Sequence, residues 1–199
     1  MRWSLQIPST SWQNDFLKQE RKRDFSYHHV GSTKGEFPLG FDHDRNKVLL
    51  GQGEGCFAKA KQCIQVWRMF PPSWTLIFPK QVPIQENTTV GMAFRLFGIW
   101  WINSCRIVYT IDEADRFGFA YGTLPAHIER GEELFLIELD EEGKVWYRIQ
   151  AFSKPRHWLV RLGYWFARSQ QRRFVQHSFR VMKAYSSQEH VQGEKCFSQ

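Results

Sequence analysis

Cysteine is scarce in this sequence, and its spacing does not suggest a metal site. The chain has four cysteines, at positions 56, 63, 105 and 196. No two of them have CxxC spacing, and no histidines follow at zinc-finger spacing. The pattern argues against a zinc site, and we predict neither a metal centre nor a cofactor. Four thiols without a disulfide framework fit a reducing compartment, so we expect a cytoplasmic location.

Long uncharged hydrophobic runs are also missing. The most apolar segment spans residues 88–111, but it contains Arg95, Asn103 and Arg106. One charged side chain at the centre of a membrane-spanning helix costs about 2.5–3.5 kcal/mol. We therefore interpret this segment as two strands and a turn. The first residues contain no unbroken apolar stretch of the kind found in secretory signals, so the sequence predicts no transmembrane segment.

Acidic residues are absent from residues 154–183, a segment with eight lysines and arginines in a chain of net charge +7. On a helix, five of these basic residues fall close to one stripe: Arg161, Arg168, Arg172, Arg180 and Lys183. Such a stripe beside aromatic residues suits an anionic membrane surface or a nucleic acid. No sequence-reading motif supports the nucleic acid. A solvated helix face, partly neutralised by the acidic segment 129–142, is the plain alternative.

Alternating hydrophobicity dominates the middle of the chain. Residues 12–23 and 56–70 have helical character, the second stopped by Pro71 and Pro72. We predict a first strand at 25–30 and a glycine-rich loop at 31–55. Six further strands are predicted at 74–78, 88–97, 104–111, 116–124, 131–140 and 144–153. A long helix over 156–185 follows, interrupted by Gly163. These elements give a helical extension at 1–24, one domain at 25–185 and a flexible tail at 186–199.

Every second side chain along these strands is largely apolar, and such side chains point to the same face of a sheet. The pattern therefore predicts one apolar concave face. Short turns between consecutive strands indicate an antiparallel meander, and the last helix must cover its apolar face. We predict an α+β, START-like helix-grip fold. It has a curved sheet of six to seven strands against a long C-terminal helix, with one further helix between the first and second strands. Its inward residues would form a ligand cavity: Phe94, Tyr109, Phe119, Tyr121, Thr123, Glu133, Phe135 and Tyr147.

Two of the predicted cavity residues and one residue on an adjoining turn suit acid–base chemistry. A carboxylate among apolar side chains loses hydration, so its pKa rises and it becomes a candidate general acid or base. Glu133 with Tyr121, and His127 on the adjoining turn, are the candidates. A tyrosine network that satisfies one buried acid is the structural alternative.

Two other groups are weaker candidates. His43, Asp44 and Arg45 place an imidazole beside a carboxylate, which suits either a general base or a structural clip, and the sequence leaves their role open. The following "GQGEG" lacks the pattern of a phosphate-binding loop and more simply supplies the backbone angles needed to enter the helix. Cys105 has the inward parity but no cation on its own face, so we expect an inert buried thiol.

Three stretches resemble one family. They are "FDHDRNKVLLGQGEGCFAKAKQCIQVWRMF", "NSCRIVYTIDEADRFGFAYGTLPAHIERGEELF" and "AFSKPRHWLVRLGYWFARSQQRRF". Over residues 25–185 the chain resembles the family called domain of unknown function nineteen-ninety. The resemblance implies no reaction.

Three functional classes therefore remain open. The first is a binding or carrier protein that holds an apolar or amphipathic small molecule between sheet and helix. The second is a cyclase-, isomerase- or hydrolase-like enzyme in the same cavity. The third is an interaction protein whose own aromatic side chains fill the cavity and whose basic helix binds a membrane surface or a partner.

Overall fold

The predicted alternation of side chains corresponds to a large antiparallel sheet in the computed structural model, which describes residues 2–156 and 163–187. Eight strands are present in these residues, together with α-helices α1 (Thr10–Glu20), α2 (Gly53–Gln65) and α3 (Tyr164–Ser186). The strands are β1 (Arg2–Ser4), β2 (Asp42–Gln52), β3 (Thr75–Phe78), β4 (Thr89–Leu96), β5 (Ile99–Asp112), β6 (Arg116–Thr123), β7 (Glu129–Leu139) and β8 (Lys144–Pro155).

The sheet has the order β2-β8-β7-β6-β5-β4-β3, and β1 pairs with the beginning of β5. Consecutive strands from β3 to β8 are neighbours in the sheet. Short turns join those from β4 to β8, as at Phe97 and Gly98, which have φ angles of 52° and 79°. Strands β2 and β3 lie at opposite edges, so α2 crosses the sheet between them. The structure confirms the α+β class and the antiparallel sheet with its C-terminal helix.

Helices α2 and α3 cover the concave face of the sheet, and their apolar residues join its inward side chains in one large core. Helix α1 packs on the convex face, where Phe16 and Leu17 contact Ala93 of β4 and Ile102 of β5. The segment after α1 also packs there, since Tyr27 and Phe37 lie against Phe152 of β8. Both faces of the sheet are therefore covered, and only the concave face carries the long helix.

The prediction of a strand at 25–30 is wrong, and β2 lies in the region predicted to be a loop. The apolar residues of 25–30 pack on top of the sheet: a Cβ at Gly122 would lie 2.2 Å from the Tyr27 hydroxyl. The pattern of β2 does not indicate a strand because the inward positions of its first half are polar, including Asp44 and Asn46. An edge strand tolerates polar inward residues where they meet polar partners on a helix, as Asp44 does.

Strand β5 differs from its prediction in two ways. It begins at Ile99, so the stretch "GIWWINS" is mostly strand and not the predicted turn. Its pairing with β6 also shifts between Ile107 and Tyr109, and a β-bulge of this kind reverses which face the following residues occupy. Tyr109 therefore lies on the convex face, in a cluster with Ala120 and Leu134, and the prediction that it faces the cavity is wrong.

The helix boundaries are also adjusted. Helix α2 starts at Gly53, whose φ of 82° supports the proposed role of the "GQGEG" glycines, and it ends at Gln65, before the prolines. The chain reverses at Trp67, which has a φ of 58°. Strand β8 continues to Pro155, two residues beyond its predicted end, and the last helix is described from Tyr164. Residues 157–162, where its predicted start lies, and the tail 188–199 are outside the described part. None of the described helices is long and apolar enough to span a bilayer.

Candidate functional site

A cavity of about 540 Å³ lies between the concave face of the sheet and the first half of α3, within the usual size range of small-molecule sites. Its apolar walls come from β4, β5, α3 and the segment between α2 and β3. They include Phe70, Trp74, Met92, Phe94, Trp101, Phe166 and Phe174. A polar side is formed by β6, β7, the turn between them and α3. It includes Tyr121, His127, Glu129, Glu133 and Gln171. The cavity is thus amphipathic.

Glu133 is the central polar group of the cavity. The strand register places it opposite Tyr121 on β6 and Ala151 on β8. The Tyr121 hydroxyl donates a hydrogen bond of 2.5 Å to Glu133 Oε2, whereas the small Ala151 leaves space in front of the carboxyl group. Burial is the main cause that raises the pKa of Glu133 to about 7, and the negative charges of Glu129 and Asp44 add to it.

Glu129 connects the polar side of the cavity to α3. Gln171 Nε2 donates to both carboxyl oxygens of Glu129, at 2.8 and 2.9 Å. Burial raises the pKa of Glu129 to about 7. Both acids are therefore near their protonation midpoints at neutral pH, a state typical of acid–base groups and of sites that await a charged partner.

His127 lies on the turn before β7 and lines the cavity. Its Nδ1 lies 3.0 Å from the Glu129 backbone nitrogen and 3.2 Å from the Glu129 carbonyl oxygen. Burial lowers the pKa of His127 to about 4. The imidazole is therefore uncharged at pH 7 and can donate a hydrogen bond but does not carry a positive charge.

The predicted cavity residues divide into three groups. Phe94, Tyr121, Thr123 and Glu133 line the cavity, as does His127. The second group, Phe119, Phe135 and Tyr147, is fully buried in the core and lies outside the lining. The third is Tyr109 on the convex face, where its hydroxyl lies 2.8 Å from Thr33 Oγ1.

The protein's own side chains fill the other half of the space between sheet and α3, around Phe119, Phe135 and Tyr147. The Trp67 ring lies 4.8 Å from Phe119 and the Phe70 ring 5.7 Å from Phe135, measured between centroids. The Tyr147 hydroxyl lies 3.0 Å from Ser178 Oγ on the later part of α3. Among the described residues, the space between sheet and helix is therefore filled around Phe119, Phe135 and Tyr147 and open beneath the first half of α3.

His43, Asp44 and Arg45 do not form a catalytic group, because alternate residues of β2 face opposite sides. Asp44 points to the concave side, where Arg168 of α3 donates two hydrogen bonds to its oxygens, at 2.5 and 2.6 Å. His43 lies 2.9 Å from the Pro38 carbonyl, and the Arg45 guanidinium lies over the Phe37 ring. The trio serves as structural contacts on two faces.

The predicted basic stripe is not continuous. Arg168 is ion-paired with Asp44 on the inner side of α3, so its assignment to an exposed stripe is wrong; an inward acid on the unforeseen strand β2 attracts it. Arg172 is exposed at the cavity, and Arg180 and Lys183 are exposed further along α3. Arg161 lies outside the described residues. Helix α3 therefore uses part of its basic charge to hold itself to the sheet.

Several cavity residues escaped the sequence analysis. Glu129 has the same parity as Glu133 but lies two residues before the predicted start of this strand at 131. Trp101 and Asn103 also line the cavity but fell in the predicted turn. Gln171 gave no signal, since its role depends on a contact between α3 and β7. Within the described ranges, no cluster of three or more His, Cys, Asp or Glu side chains could hold a metal ion.

The raised pKa of Glu133 predicts a pH-dependent stability difference. Its ordinary value is 4.5 and its folded value is about 7, so the folded state binds the proton more tightly and loses stability as pH rises between these values. E133Q lacks this cost but can still accept from Tyr121. We expect E133Q to unfold with a free energy about 1–3 kcal/mol higher than the wild type at pH 8, and with no advantage at pH 4. Urea denaturation at both pH values measures this, with exposed Glu141→Gln as the control; an equal difference at both values would contradict it.

Comparisons with known proteins agree with this architecture. A UPF0548 protein of Dictyostelium discoideum is 34% identical over 207 residues, which cover 92% of this chain and 96% of that protein. The crystal structure of Ara h 8.0201 superposes with a TM-score of 0.51 at 13% identity, covering 74% of this chain and 98% of that one. Human STARD10 superposes with a TM-score of 0.47 at 8% identity, covering 90% and 82%.

Likeness at such low identity shows the fold alone, and the superposition on Ara h 8.0201 agrees with an antiparallel sheet packed against a long C-terminal helix. The family comparison is more specific, because the model described as Domain of unknown function (DUF1990) matches residues 26–181. This range contains the three sequence stretches that carry the resemblance. The chain belongs to the DUF1990 family.

Proposed function

We propose that this protein binds an apolar or amphipathic small molecule between the sheet and the first half of α3. The observation that carries the proposal is the open cavity of about 540 Å³ in a domain whose remaining pouch is tightly filled. Protein interiors are close-packed, and an unfilled space of this size forfeits contacts that a ligand would restore.

The form of the cavity supports an amphipathic occupant. Its apolar walls accept a hydrocarbon portion, and the carboxyl groups of Glu129 and Glu133 accept a polar end. The mouth has aromatic edges: the rings of Phe97 and Phe166 stack with centroids 5.6 Å apart, and Phe97 is 80% exposed. A ligand that enters between the β4–β5 turn and the start of α3 therefore meets an apolar surface first.

Isothermal titration calorimetry with decanol tests this proposal. Decanol has one flexible apolar chain and one neutral polar end, so it requires no particular head-group chemistry. We expect saturable binding of one molecule per protein and a negative heat-capacity change, the mark of apolar burial. Absence of saturable heat across the soluble range of decanol would contradict the proposal.

An acid–base enzyme in the same cavity is a second candidate, favoured by the 2.5 Å hydrogen bond between Tyr121 and Glu133 and by the pKa of about 7 for Glu133. A carboxyl group with this pKa exchanges protons near neutral pH. The two candidates differ in their response to E133Q. If the wild type converts a cavity-bound substrate and E133Q binds that substrate without converting it, the enzyme is supported. If the wild type releases its ligand chemically unchanged, the carrier is supported.

A further inference from the structure

We propose that the ligand of this cavity carries a positively charged nitrogen, which binds beside Glu133, with its apolar portion directed toward Phe94 and Trp101. This inference rests on the proposed binding function and adds the chemical class of the ligand. The geometry of the carboxyl groups carries it, together with the finding that neither Glu129 nor Glu133 forms an ion pair within residues 2–156 and 163–187. Arg168, whose charge acts on Glu129, is already paired with Asp44.

Charges around the cavity are not balanced. Asp44 is neutralised by Arg168, and Glu132 is turned to the convex side, where Tyr27 and Thr33 bind its oxygens. Glu129 and Glu133 remain. Across residues 2–156 and 163–187, neither forms an ion pair with a lysine or arginine; their side-chain partners are the amide of Gln171 and the hydroxyl of Tyr121.

Glu133 is the better placed of the two acids to receive a ligand. Gln171 occupies both oxygens of Glu129, whereas Tyr121 occupies only Oε2 of Glu133. Within the described residues the other oxygen, Oε1, has no hydrogen-bond partner, and Glu133 lines the cavity together with its cross-strand partner Ala151. A protonated amine at this position would donate to the free oxygen and supply the missing opposite charge, and buried carboxylates are stabilised by such a partner.

The far wall supports the orientation. Phe94 and Trp101 are cross-strand partners on the inner face of β4 and β5, so they form an apolar surface across the sheet from Glu133. Trp101 Nε1 is buried and has no hydrogen-bond partner among the described residues. A ligand with an acceptor atom on its apolar portion would satisfy this donor as well.

Non-specific attraction does not explain a preference for cations, because the whole protein has a net charge of +7 and repels them at long range. Arg172 at the cavity adds to this repulsion. Preference for an amine over a neutral or acidic analogue would therefore report the local carboxyl groups rather than the overall charge.

The test is calorimetric titration of the full chain at pH 7.5 with decylamine, decanol and decanoate, which share the same chain length. We expect decylamine to bind about tenfold more tightly than decanol. A hydrogen bond between charged groups is more favourable than one between neutral groups by a free energy that corresponds to about a factor of ten in affinity. Decanoate should bind most weakly. In E133Q the ratio of decylamine affinity to decanol affinity should fall about tenfold. Glu141→Gln removes the same charge from an exposed turn and should change none of the three.

Each failure has its own meaning. If none of the three probes binds, the proposed binding function itself is wrong. If decanol binds at least as tightly as decylamine, only the proposal of a cationic ligand is overturned. If decanoate binds most tightly, the preferred ligand is an anion. An unchanged decylamine affinity in E133Q would overturn the placement of the charge beside Glu133.

Discussion

Replacement of Ala167 by tryptophan is expected to weaken decanol binding about a hundredfold. Ala167 lies on α3 and lines the cavity, so the larger side chain would occupy the space meant for the ligand. Exclusion of about four methylene groups from an apolar site costs about 3 kcal/mol, which is roughly a hundredfold in affinity. Calorimetric titration of A167W against the wild type measures the effect.

Ala184→Trp is the matched control because Ala184 lies on the same helix, is exposed, and is not part of the cavity wall. Decanol binding to A184W should equal that of the wild type. Near-ultraviolet circular dichroism and the urea midpoint show whether A167W keeps its packing. A folded A167W that binds decanol with wild-type affinity would place the ligand somewhere other than this cavity.

Among the substitutions proposed here, removal of the Glu132 carboxyl group is expected to lower the free energy of unfolding most. Glu132 is 2% exposed and lies on the convex face, where it accepts hydrogen bonds from the Tyr27 hydroxyl at 2.6 Å and the backbone N–H groups of Gly31 and Thr33 at 2.7 and 3.0 Å. The Thr33 hydroxyl is a fourth donor. One side chain thus fastens the segment after α1 to the outside of the sheet.

Glu132→Ala would leave these buried donors without an acceptor. Each unsatisfied buried group costs about 1–3 kcal/mol, and because the four share one acceptor we expect a combined loss of about 3–5 kcal/mol in the free energy of unfolding. Urea denaturation measures it, and Glu141→Ala, which is exposed, should stay within about 0.5 kcal/mol of the wild type. A loss below 1 kcal/mol in E132A would show that this segment is held by other contacts.

Alternating hydrophobicity was sufficient to predict the central sheet, because strands β4 to β8 bury one face in a large core and short turns join them. The same alternation did not predict elements in which an inward residue is polar or an apolar segment is not a strand. Strand β2 carries Asp44 inward against Arg168, and the segment containing Tyr27 is apolar without being a strand. The bulge after Ile107 could not be seen in the pattern either, since Tyr109 and Ile111 are apolar on whichever face they lie.

The candidate site was predictable only in part. Glu133 and Tyr121 followed from parity because they lie on adjacent strands with unbroken register. The polar contacts from α3 did not, since Gln171 and Arg168 meet their partners across 42 and 124 residues of sequence. Which half of the pouch remains open depends on where α2 ends and how Trp67 and Phe70 turn inward, and these are tertiary features that local patterns do not report.

The most direct test of the binding site is the anomalous scattering of bromine in crystals grown with 10-bromodecanol, in which bromine marks the end of the apolar chain. The account predicts one bromine peak inside the cavity, near Phe94 and Trp101, with the hydroxyl toward Glu133. A peak confined to the protein surface, or an empty cavity with Phe94 and Phe174 in mutual contact, would contradict it.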